Sequence, residues 1–103
     1  LGRPLTEVAE VIRSKNAGPY ELTFDIIFKD FQVYQEVKDK KLINKELITR
    51  LYQLQGEQVV SIINFDPAKA IKITIVRPLP AGAPGERDVY GAQQHAPLFD
   101  IEV

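Results

Sequence analysis

The sequence predicts an α+β domain with a mostly antiparallel sheet and helices on one face. Three observations point there. The run "YELTFDIIFK" alternates apolar and polar side chains, as a strand with one buried face does. Two later segments each open on a capping side chain and repeat apolar residues at helical intervals. Two β-branched runs on either side of an Asp-Pro turn then read as a hairpin.

Taken in order, "PLTEVAEVIRSKNAG" predicts a short amphipathic helix. Leu5, Val8, Ala9 and Ile12 recur at helical spacing, Pro4 suits a first turn, and Gly18 with Pro19 would end it. In the strand that follows, Tyr20, Leu22, Phe24, Ile26 and Phe28 point one way. Asp30 caps a helix carrying Phe31, Tyr34 and Val37 at helical intervals, and Asn44 caps a second carrying Leu47, Ile48, Leu51 and Leu54 inward. "QVVSIINF" and "AIKITIV" should pair across "DPAKA". The first strand and the "QVVSIINF" strand are separated by helices, which allows a parallel crossover. Residues 77–96 hold several prolines and glycines and predict a long loop, a kind that is usually functional or disordered. "LFDIEV" alternates again and is expected to be an edge strand. This order suggests a single ferredoxin-like sandwich spanning residues 1–103.

The totals narrow function. With 13 basic and 14 acidic side chains the net charge is −1, and no basic block could track phosphates, so nucleic acid is not an expected partner. No apolar run approaches the roughly 20 residues that cross a bilayer, and no secretion signal is visible, so a cytoplasmic protein is expected. The absence of cysteine and the single histidine leave no disulfide or thiol chemistry and few metal ligands; no cofactor or metal is expected.

Three stretches could carry a site. In "RSKNAG", Arg13, Ser14, Lys15, Asn16 and Gly18 offer a guanidinium, hydroxyl, ammonium, amide and open backbone for a carboxylate or phosphate. Basic residues ending a helix explain the same string without any ligand. In "FDPAKA", Asp66 and Lys69 read first as an ordinary turn. In "DVYGAQQHAPLF", Asp88, Tyr90, Gly91, Gln93 and Gln94 suit binding or docking, and His95 is the one side chain that titrates near neutrality. The acidic pairs Glu7 with Glu10 and Glu36 with Asp39 fall on polar helix faces and read as solvated surface.

The blocks "LTEVAEVIRSKNAGPYELTFDIIF", "FDPAKAIKIT" and "DVYGAQQHAPL" together resemble the family known as domain of unknown function 4387, over nearly the whole chain and in the same order. That resemblance implies a small module encoded beside, or joined to, a larger protein of the acyclic terpene utilisation (AtuA) type. "RSKNAG" is also similar to an "RSGDKG" string in the ferredoxin-like carboxy-terminal domain of AtuA-like proteins. This similarity points to Arg13, Ser14, Asn16 and Gly18, whereas the departures at Lys15, Asn16 and Ala17 bar the transfer of any acid role.

The resulting expectation is a non-catalytic or co-catalytic small subunit. It would bind an AtuA-like large protein and complete a hydratase or lyase site for a carboxylate or acyl-CoA substrate. Two alternatives stay open. One is a self-sufficient small enzyme, in which His95 is the base, Arg13 orients an anion, and a homo-oligomer assembles the site. The other is a stand-alone binding protein for a small carboxylate.

Overall fold

In the computed structural model, which describes residues 2–76 and 96–103, four strands form one sheet. They are β1 (Ala9–Asn16), β2 (Glu21–Phe28), β3 (Val59–Phe65) and β4 (Ala70–Val76). Their order is β1-β2-β4-β3, and each neighbouring pair is antiparallel. A four-residue helix α1 (Leu5–Val8) precedes β1, and α2 (Phe31–Asp39) and α3 (Lys45–Tyr52) link β2 to β3. Because both are antiparallel to β4, β2 and β3 run parallel to each other with β4 between them. The helix pair is thus a crossover that skips one strand.

The expected first helix is the main correction. It stops at Val8, and the chain continues as strand β1. A β-bulge explains the misleading spacing: the register shifts between Ala9 and Val11, so Ala9 lies opposite Phe28 while Ile12 lies opposite Ile26. Two residues on the core side of a strand then sit three apart, as they would on one face of a helix. The β-branched pair Val11 and Ile12 favours the extended form.

The other strands follow the sequence closely. On β2, Leu22, Phe24, Ile26 and Phe28 are buried, and on β4, Ile71, Ile73 and Ile75 are buried beside them. Tyr34 and Val37 of α2, Ile48 of α3, and Leu5, Leu98, Ile101 and Val103 from the two ends join this core, and Phe24 stacks on Tyr52 with ring centroids 4.9 Å apart. Burying each such side chain contributes roughly 1.5–3 kcal/mol. Both caps form as expected: Asp30 accepts from the Val33 amide and Asn44 from the Leu47 amide, each at 2.9 Å. Tyr20 is exposed, because the strand begins at Glu21, and Phe31 is half-exposed against the edge of Tyr34.

The carboxy-terminal strand is a second correction. Ala96–Asp100 forms a short 3-10 helix, and only an isolated bridge follows, between Pro4 and Glu102. The alternation in the sequence survives in the last residues, where Ile101 and Val103 are buried and Glu102 is exposed. The α+β class with a mostly antiparallel sheet is as expected. After α1 the order is two strands, two helices and two strands, whereas a ferredoxin-like sandwich alternates βαββαβ; β1 stands where the sequence suggested a helix.

Candidate functional site

Strand geometry divides the "RSKNAG" string. Successive side chains of β1 point to opposite faces, so Arg13 and Lys15 lie on the face away from the helices, whereas Ser14, opposite Phe24, is buried on the helix side and Asn16 lies half-buried on that same side. Gly18 sits in the β1–β2 turn with φ +101°, a backbone region that favours glycine, next to the bond from the Ala17 amide to the Glu21 carbonyl. The expected site residues therefore do not share one face.

What the sheet brings together instead is a row across all four strands. Arg13, Asp25, Lys72 and Ile63 lie side by side on the helix-free face, and Val11, Ile27, Ala70 and Phe65 form the parallel row beside them. The Arg13 Nε donates to Asp25 Oδ2 at 3.1 Å. Lys15 and Lys72 have no ion-pair partner among the described residues. Apart from Val11, these side chains line a groove of about 400 Å³, with Arg13, Lys15 and Lys72 as its cations and Asp25 as its carboxylate. Ile27, Ile63 and Phe65 supply its apolar wall. A guanidinium already paired, two unmatched ammonium groups and an apolar strip suit an anion that carries a hydrocarbon body.

Sequence reasoning found Arg13 and Lys15 but placed them at a helix end. It missed Asp25, Lys72, Ile63 and Phe65 as their companions, because strand order and register bring these together. The alternation around Asp25 was the one available signal.

On the helix side, Asp66 is a tether. It accepts the Tyr34 hydroxyl and the Lys38 ammonium, the latter at 3.1 and 3.2 Å. The Tyr34 hydrogen bond, then Lys38, hold its carboxyl below the usual aspartate range. Burial of the ring, helped by Asp66, pushes the Tyr34 phenol up to about 12. The "FDPAKA" segment is the expected turn: Asp66–Ala68 is a 3-10 turn, and Lys69 follows at φ 54°. A smaller cleft of about 260 Å³ lies nearby, with Lys38, Lys41 and Lys45 around Val37, Ile43 and Ile62.

Asp88, Tyr90, Gly91, Gln93, Gln94 and His95 lie outside the described residues, and so does the 77–95 part of the predicted loop. No helix among the described residues is long and apolar enough to cross a membrane. Residues 5–102 match the model of the family described as Domain of unknown function (DUF4387). No curated protein and no solved structure matches the chain.

Proposed function

We propose that this chain, which belongs to the DUF4387 family, is the small subunit of a two-component assembly with an AtuA-like large protein. In this reading it helps hold a carboxylate or acyl-thioester substrate, such as an acyl-CoA, for hydratase or lyase chemistry. The observation that carries the reading is the groove on the helix-free sheet face, where unmatched Lys15 and Lys72 stand beside exposed Ile63 and Phe65. Two cations next to an apolar wall favour an amphipathic anion. A sheet face that no described helix covers also gives a larger protein a surface on which to close the site. The name of the partner rests on the resemblance of "RSKNAG", "FDPAKAIKIT" and "DVYGAQQHAPL" to the family's blocks.

Co-expression with the large protein followed by size-exclusion chromatography tests the reading. Joint elution is expected, and separate elution of two folded proteins would sink it. The same groove favours a second reading, a stand-alone binder of small carboxylates. In that case a medium-chain carboxylate raises the melting temperature of the isolated chain, with no large protein present.

A further inference from the structure

The sheet has two outer strands, and they differ in how they are protected. Exposed strand edges invite pairing with other chains, and proteins blunt them with charges, prolines or bulges. β1 carries Glu10, Arg13 and Lys15 and has its bulge near the start. β3 reads Val-Val-Ser-Ile-Ile-Asn-Phe, with neither a charge nor a proline. Its one irregularity falls between Val59 and Ser61, which leaves Ser61 to Phe65 regularly paired with β4 on the inner side. No described strand pairs with its outer side. Among the described residues, three of the six large hydrophobic side chains left exposed belong to this strand: Val60 at 52%, Ile63 at 52% and Phe65 at 55%.

We propose that β3 pairs antiparallel with β3 of a second copy of this chain about a two-fold axis, joining two four-stranded sheets into one. A two-fold pairing sets identical strands against each other. On β1 a pairing centred on Arg13 or Ser14 would oppose like charges. On β3 it opposes none, and a net charge of −1 adds little repulsion between the copies. Pairing centred on Ile63 places the two Ile63 side chains against each other and each Phe65 across from Ser61. Lys72 lies one strand further in on each copy. Three strand spacings, roughly 14 Å, then separate the two lysines, beyond the screening length of about 8 Å at physiological salt. The pairing also runs the two grooves together, so that Ile63 and Phe65 of each copy wall the groove of the other. In that last respect the proposal rests on the groove reading; the pairing itself does not.

Light scattering on the eluting protein tests it directly. At about 100 µM, well above a micromolar Kd, the unmodified protein should have the mass of two chains. The double variant Ile63→Lys with Phe65→Lys should have the mass of one, with an unchanged circular dichroism spectrum, since both side chains are half-exposed. Ile63→Glu is a second disruptor of the same edge: the two-fold pairing sets its two carboxylates against each other, so it should shift the equilibrium in the same direction. A one-chain mass for the unmodified protein would overturn the proposal, as would a folded double variant that remains a dimer. Co-elution with the large protein is a separate readout, so the failure of either reading leaves the other identifiable.

Discussion

The Tyr34 hydroxyl donates to the carboxylate of Asp66, 32 positions away in the chain, and so fastens helix α2 to the β3–β4 turn. The ring of Tyr34 is buried against Phe28 and Phe31, while its hydroxyl reaches the rim where Lys38 also meets Asp66. Tyr34→Phe keeps the ring contacts and removes the bond. Its expected effect is a melting temperature lower by a few degrees, measured by circular dichroism, with the spectrum unchanged.

The same tether makes stability depend on pH at both ends. Asp66 and Glu36 have carboxyls held below the ordinary range, Glu36 by Arg3 and then Lys40. A depressed carboxyl contributes stability above its unfolded value of about 4, and the contribution is lost as pH falls through the folded value. The Tyr34 phenol is raised to about 12, so its contribution is full below about 10 and is lost as pH rises through the folded value. Urea midpoints recorded from pH 7 down to pH 3 should fall, and Asp66→Asn should flatten part of that fall. Equal slopes for the two proteins would contradict the assignment.

The two helix caps act at separate sites. Asp30→Ala and Asn44→Ala should each cost about 1 kcal/mol and add in the double variant. Urea denaturation of the four proteins checks both statements.

A charge reversal in the groove should spare the fold and weaken ligand binding. Lys72→Glu lies on an exposed position of β4 but opposite Asp25, so its stability should fall by no more than about 1 kcal/mol. Affinity for a medium-chain carboxylate should drop about tenfold, equivalent to about 1.4 kcal/mol. Calorimetric titration reads this, and unchanged affinity would remove Lys72 from the site.

Two phenylalanines of the same sheet should respond in opposite ways. Phe24 is fully buried and stacked on Tyr52, so Phe24→Ala should cost roughly 3–5 kcal/mol. Phe65 is 55% exposed in the single chain, so Phe65→Ala should scarcely change unfolding at a protein concentration too low for pairing and should show instead in the mass measured at high concentration.

Much of this architecture was legible in the sequence wherever local chemistry decided it. Asp30 and Asn44 announced their helices, the alternation through Leu22, Phe24, Ile26 and Phe28 announced a half-buried strand, and Asp66-Pro67 announced the turn. The reading failed where one extra residue altered the period. At the Ala9/Val11 bulge, the three-residue step from Ala9 to Ile12 imitates a helix, and only pairing with β2 reveals the strand. The candidate site was half legible for the same reason. Arg13 and Lys15 stood out as a basic pair, but their neighbours Asp25, Lys72 and Ile63 come from three other strands, and no local pattern records which strands will be adjacent.

Arg3 and Val103 exchange both of their backbone hydrogen bonds, at 3.1 and 2.8 Å. Residues paired in this way stand about 5.5 Å apart. The described chain is therefore nearly a closed ring, entering and leaving at one point on its surface. Fraying at either end therefore removes the partner of the other, so the amide protons of Arg3 and Val103 should exchange with solvent together.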